Sequence, residues 1–213
     1  MANRIEGVTE KLLECAKQEF LRNGFNNASL RTIAEKAGTT PRSIYTRYED
    51  KEGLFAALVD EAWEGYKGML VTGHENYLTK PEEEQKKLFH DETFEAGYEK
   101  AMWYVIDYIY DRYDAFKLIV DCSEGTRYVD YTQCLAEIEA EGIIRFIDNT
   151  NNDAISSGRA SLALIHMLCS AYVSGMFEII RHDMTREEAA AYILQLREFF
   201  EQGWDHIFNP QIK

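Results

Sequence analysis

Between Ser29 and Phe55 the chain reads SLRTIAEKAGTTPRSIYTRYEDKEGLF, and this segment constrains the fold more than any other. Ser29 can cap a short helix that runs through Ala37, with Ile33, Ala34 and Ala37 on one apolar face. Gly38 ends it. Thr40 can cap a second helix to about Tyr48, and Pro41 stands at its first position, where a missing N–H costs nothing. Ile44 and Tyr48, four apart, give that helix an inner face. Asp50 then caps another helix, beginning KEGLFAALVDEAW. Two short helices meeting at a glycine turn have the layout of a helix-turn-helix.

With the inner positions removed, the second helix presents Thr40, Arg42, Ser43, Tyr45, Thr46 and Arg47, with no acid before Glu49. Such a face is unexpected in a chain of net charge −14. In a recognition helix the N-terminal residues reach base edges in the major groove, which makes Arg42 the candidate for a bidentate contact to guanine. Ser43, Tyr45, Thr46 and Arg47 suit phosphate contacts, which set register without reading sequence. Lys51 falls in the first turn of the following helix, where free backbone N–H groups also favour a phosphate. Periodicity alone is equally served by a helical hairpin with a solvated polar face.

The segment resembles the DNA-binding domain of the TetR/AcrR family of bacterial transcription regulators. The matching residues are Gly24-Phe25, Ser29-Leu30-Arg31-Thr32-Ile33-Ala34, Ala37-Gly38, Thr40, Ile44-Tyr45, Tyr48, Lys51 and Leu54-Phe55. They cover about residues 8–55. The resemblance implies a three-helix DNA-binding domain, a fourth helix leading into a larger helical domain, a homodimer on a palindromic or nearly palindromic double-stranded operator, and repression relieved by a small ligand. By position it carries Thr40, Arg42, Ser43, Tyr45, Thr46 and Lys51 onto recognition-helix and phosphate contacts, and Ser29 and Arg31 onto contacts from the start of the second helix. Tyr48 stands where phenylalanine is usual, Arg47 where histidine is frequent, and Pro41 where a basic or polar residue is common.

The remaining chain fits that frame. Only three prolines in 213 residues, with no stretch alternating at period two, predict an all-α fold. Residues 1–55 carry nine Lys/Arg and eight Asp/Glu, a net +1 that leaves −15 on the rest. Such asymmetry points to divided labour: an N-terminal helix-turn-helix DNA-binding domain over residues 1–50, and a larger helical ligand-binding and dimerisation domain over 51–213. No apolar run of about 18 residues is apparent, and no leader, so the expectation is a cytoplasmic protein without membrane contact. Cys15, Cys122, Cys134 and Cys169 lack CxxC spacing and read as reduced thiols.

Helices are expected over about 94–113, 116–122, 128–148 and 159–181. NTNND at 149–153 forms a turn, and Thr185 to Glu188 opens the last helix as a capping box. Leu164, Met167, Leu168, Ala171, Ser174, Gly175 and Phe177, with Tyr192, Leu196, Phe199 and Phe200, are assigned to an isologous four-helix dimer interface; an intrachain core face is the alternative. Residues 98–131 hold seven of thirteen tyrosines, Tyr98 among them, interleaved with Asp107, Asp111, Asp114 and Asp121. Trp103, Tyr104, Phe116, Tyr128 and Phe146 are assigned to an effector pocket for a lipophilic or cationic small molecule, with ordinary core aromatics as the alternative.

No cofactor or metal site is expected. None of His74, His90, His166, His182 and His206 follows a Glu by three residues, and HExxH, GxSxG and P-loop patterns are absent. An all-α enzyme is therefore set aside. A protein-binding adaptor that keeps the helix-turn-helix as scaffold would have no reason to exclude acids from Thr40 to Thr46.

Overall fold

The structure is a computed structural model that describes the backbone of residues 2–86 and 92–209 and the side chains of residues 7–86 and 100–209. The side chains of His90 and Tyr98, named above, lie outside the described residues. Among those described there are ten α-helices and no strand. They are α1 (Ala2–Asn27), α2 (Leu30–Ala37), α3 (Pro41–Tyr48), α4 (Lys51–Leu78), α5 (Glu82–Gln85), α6 (Glu92–Tyr110), α7 (Tyr113–Cys122), α8 (Tyr131–Asn149), α9 (Leu162–Arg181) and α10 (Arg186–Phe208).

Local chemistry sets most boundaries. Gly24, at φ 68° and ψ 167°, kinks α1 and ends its regular stretch. The Ser29 hydroxyl accepts from the Thr32 N–H and Gly38 closes α2 at φ 71°. Thr40 accepts from the Ser43 N–H with Pro41 at the first position of α3. Asp50 Oδ1 takes the Gly53 N–H at 2.7 Å and so caps α4. The Thr185–Glu188 capping box is formed in both directions. The helix expected over 94–113 ends a turn early, at Tyr110, and that expected from Tyr128 starts at Tyr131.

The chain divides into two compact units. Unit 1 comprises Met1–Gly65 and Arg112–Tyr131, so it takes in the first part of α4 and all of α7. Its core is aromatic. Phe20, Phe25 and Phe55 have ring centroids 5.2–6.0 Å apart, and Tyr128 joins at 5.8 Å from Phe55. Leu12, Ile33, Ile44, Leu54 and Phe116 are fully buried around them. Glu19 is the one buried charge of this unit among the described residues. Its carboxylate accepts from Lys36 at 3.0 Å, Asn23 at 2.9 Å and the Ser29 N–H at 3.4 Å, tying α1 to α2. Burial pushes this carboxyl up, and Lys36 and the Ser29 N–H more than reverse it, holding it below its ordinary value.

Unit 2 comprises Tyr66–Asp111 and Thr132–Lys213. One part of its core gathers Leu78, Ala136, Ala140, Phe146, Ile165, Cys169 and Phe208, with Trp204 stacked on Phe208 at 5.5 Å. Ion pairs tie α6 to the start of α10: Arg186 bridges Asp107 at 2.8 Å and Asp111 at 2.6 Å, and just before α10 the Met184 carbonyl accepts from the Tyr110 hydroxyl. By length and composition α9 could cross a membrane, with mean hydropathy 1.6. This corrects the reading that no stretch of that length occurs; scattered Ser, Tyr and His residues hid it. Only 39% of that window is buried within the fold.

Candidate nucleic-acid interface

The α2–α3 pair stands on a buried inner face of Ile33, Ala34, Ala37 and Ile44, which leaves the other side chains of α3 at the surface. Arg42 is exposed, and Tyr45 is 53% exposed despite its large ring; neither has a partner among the described residues.

Hydrogen-bond bookkeeping refines what each group can offer. The oxygens of Ser29 and Thr40 already accept from backbone N–H groups as helix caps, so each hydroxyl still has its proton to donate. Such a donor matches a phosphate oxygen. Thr46 is the reverse case. Its hydroxyl donates to the Arg42 carbonyl at 2.8 Å, leaving only an acceptor, which suits a base N–H better than a phosphate. Ser43 is half-buried beside them.

Three of the four candidate cations are held in place. Arg31 Nε donates to Glu35 at 2.9 Å on the exposed side of α2, and that bond raises the guanidinium's already high pKa. Arg47 Nη1 donates to the Thr9 hydroxyl at 3.2 Å, which fixes the end of α3 against α1. Lys51 Nζ donates to the Asn26 and Ala28 carbonyls at 3.1 and 3.2 Å and lies over the Phe25 ring. It thereby satisfies carbonyls left open after the Gly24 kink, and one of its three N–H donors remains for another acceptor. Arg42 alone of the four has its whole guanidinium uncommitted among the described residues. Sequence reasoning missed Thr9 and the two carbonyls, because partners 23 to 38 residues away leave no local signal.

The turn into α4 is tight. Asp50 N–H donates to the Tyr48 carbonyl at 2.7 Å across Glu49, whose φ of 68° and ψ of −51° describe a γ-turn of the rare positive-φ kind. A latch in the same unit involves the loop before α8. Arg127 Nη2 donates to both Asp60 oxygens at 2.8 and 2.9 Å, its backbone N–H donates to Glu52, and the buried Tyr128 hydroxyl donates to Asp60 at 2.5 Å.

The five residues assigned to an effector pocket are distributed over both units. Phe116 and Tyr128 belong to unit 1, where Phe116 is fully buried and Tyr128 is committed to Phe55 and Asp60. Trp103 and Tyr104 belong to unit 2 and are 38% and 63% exposed on α6. Phe146 packs against Phe208 and borders a cavity of about 310 Å³ with Lys86, Thr150, Asn151, Asn152, Asp153 and Asn209. No group of three or more His, Cys, Asp or Glu among the described residues could hold a metal ion.

The residues assigned to a dimer face also separate by exposure. Met167 and Phe199 are 60% and 74% exposed, and Ala171 is exposed. Leu164, Leu168, Ser174, Tyr192, Leu196 and Phe200 are half-buried. Gly175 serves an intrachain contact: a Cβ there would stand 3.0 Å from Leu196, and its carbonyl accepts from the Tyr192 hydroxyl. Phe177 is buried against Tyr66. His166 meets Gln133 at 3.1 Å.

Comparison with known proteins places this geometry in a wider set. Residues 12–58 match the family model described as bacterial regulatory proteins, tetR family. A stretch of 76 residues is 36% identical to a probable HTH-type transcriptional regulator, YttP, of Bacillus subtilis (strain 168), covering 36% of this chain and 37% of that protein. Another of 52 residues is 38% identical to the uncharacterized HTH-type transcriptional regulator YdgC of the same organism, covering 24% of this chain and 27% of that protein. The alignments thus span about a third of the curated relatives' length. The fold is similar to that of the TetR family transcriptional regulator PfmR from Thermus thermophilus, with a TM-score of 0.50, 17% identity, and coverage of 95% of this chain and 99% of that one.

Proposed function

We propose that this chain, whose residues 12–58 match the tetR family of bacterial regulatory proteins, is a homodimeric, ligand-responsive transcriptional regulator of that family that represses by occupying an operator. The observation that carries the DNA-binding reading is the uncommitted Arg42 on the exposed, acid-free face of α3. Ser29, Arg31, Thr40, Ser43, Tyr45, Thr46, Arg47 and Lys51 complete the proposed contact set. Arg42 reads a base and the cations around it neutralise phosphates, which lets a chain of net charge −14 bind DNA locally.

Dimerisation is supported by the uncharged stretch 160–177 and the outward Met167, Ala171 and Phe199. A dimer is what the reading requires, since two recognition helices must lie about 34–36 Å apart to enter successive major grooves. The effector is proposed to be a small molecule taken up by unit 2, where Trp103 and Tyr104 offer exposed rings and Phe146 borders a cavity. It acts by population shift, favouring a state whose recognition helices no longer match the half-site spacing. Residence in the cytoplasm follows from that role.

Selection of genomic fragments by the purified protein tests the reading. Enrichment of a nearly palindromic site, lost in Arg42→Ala, is the expected result. Recovery of fragments with no shared sequence would overturn it.

A further inference from the structure

α4 carries a histidine that the DNA-reading role does not use. His74 is half-buried, its Nε2 lies 3.3 Å from Glu139 Oε2 on α8, and its ring occupies a slot made by the missing side chain of Gly142. A Cβ at Gly142 would stand 2.8 Å from His74 Nδ1 and 2.9 Å from Cε1, so no other residue type leaves room for the imidazole at this site. One turn further along α8, Arg145 is tied to Glu75, the neighbour of His74, in a two-point ion pair. The charged groups around the ring are therefore Glu139, Glu141 and Arg145 from α8 and Glu75 from α4 itself. From α9 the buried Cys169 thiol responds to burial and to Glu139, which together push it up to about 12.

Glu75 is matched by Arg145, and Glu139 has only an imidazole to balance it among the ion pairs described. When His74 carries a proton the contact is a charge-assisted hydrogen bond in a partly desolvated slot. When the proton leaves, a half-buried carboxylate loses its counter-charge while Glu141 stays nearby. The contact then changes from attraction to mere hydrogen bonding.

We propose that His74, Glu139 and Gly142 form a proton-operated brace between α4 and α8, which makes operator binding by this protein pH-responsive. α4 is one helix from Lys51 to Leu78, so the braced segment is continuous with the turn that holds Lys51. The coupling to DNA rests on the regulator reading above, and the brace itself does not.

Burial pulls the imidazole down and Glu139 more than compensates, setting His74 above its ordinary 6.5. A group raised in the folded state contributes stability that is complete below the unfolded pKa and lost as pH rises through the folded one. The brace is thus closed below about pH 6.5 and opens as pH rises through the raised value.

Two measurements on the full-length protein decide the matter. Histidine ring NMR of wild type should show an imidazole resonance, titrating above 6.5, that is absent in His74→Gln and lowered in Glu139→Gln, and the wild-type Tm should fall more steeply than that of either variant between about pH 6 and pH 8.5. Operator affinity at fixed salt should change between the same two pH values by about fivefold more in wild type than in His74→Gln. Identical Tm profiles in wild type and both variants would overturn the brace. A pH-dependent Tm difference with parallel affinity profiles would overturn its link to DNA. Absence of DNA binding at every pH would instead count against the regulator reading, with the NMR and Tm results still deciding the brace.

Discussion

A methyl group on Gly53 would run into the carbonyl oxygen of Tyr48, well inside van der Waals contact. The last turn of α3 and the first turn of α4 meet there with no room for a side chain. Glu49, between them, pays for this closeness with a φ of 68° that glycine would adopt freely. Gly53→Ala should lower Tm and weaken operator binding together, since the joint has to open. Glu49→Gly should raise stability by about 1 kcal/mol, read from denaturant unfolding. Unchanged stability in both variants would show that the γ-turn carries no strain.

Arg42→Ala and Lys51→Ala separate base reading from phosphate contact. Arg42 has no partner among the described residues, so its loss should leave Tm unchanged, cost about 1–3 kcal/mol at the operator and relax preference at one base pair. Lys51→Ala should weaken every sequence alike and lower the salt slope by about 1. It should also destabilise the fold by about 1 kcal/mol, because two carbonyls lose their donor. Binding isotherms across salt and a melt of each variant check this; a site-specific loss in Lys51→Ala would reverse the assignment.

Met167→Asp and Phe199→Glu place charges on the most outward apolar positions of α9 and α10. Sedimentation at micromolar concentration should show wild type as dimer and the double variant as monomer. A monomeric wild type would remove the proposed two-fold arrangement.

Glu19 makes stability depend on acid. Its folded pKa lies below the ordinary 4.5, so its contribution is present above about 4.5 and lost as pH falls through the lowered value. Glu19→Gln should cost about 1–3 kcal/mol at pH 7, by leaving Lys36 and the Ser29 N–H with a weaker acceptor. The variant's Tm should then respond less to acid than wild type below about pH 4.5, and equal steepness would refute the assignment.

Effector residues can be told from packing residues by stability. Phe116→Ala should cost about 3–5 kcal/mol, as a fully buried ring leaves a cavity. Trp103→Ala, at a partly exposed position, should cost far less, so any change it makes in ligand-dependent release from DNA reports on the ligand. Release unchanged in Trp103→Ala and Tyr104→Ala would move the effector site elsewhere.

These outcomes follow how legible each part was. Ser29, Gly38, Thr40, Asp50 and Thr185 act on backbone groups within a few residues, so their capping roles could be read directly from order and spacing. The outward face of α3 was legible for the same reason. Tyr128 was not, because its partner Asp60 lies 68 residues away in sequence and only the fold brings the two together. Gly142 and Gly175 show the limit from another side. Both are small residues on helices, yet one makes a slot for His74 and the other a seat for Leu196, and nothing adjacent in sequence distinguishes them.

Unit 1 is assembled from two stretches of chain, Met1–Gly65 and Arg112–Tyr131. A ribosome delivers the first long before the second. At about 5–20 residues per second, Tyr131 trails Gly65 by roughly 3–13 s. During that interval Phe20, Phe25 and Phe55 have been made, but Tyr128, which packs on Phe55, has not. The part of the protein synthesised first is therefore completed only midway through synthesis, once Tyr131 has been made. A nascent chain stalled in the middle would hold a DNA-reading surface on an incomplete core, a natural substrate for chaperones.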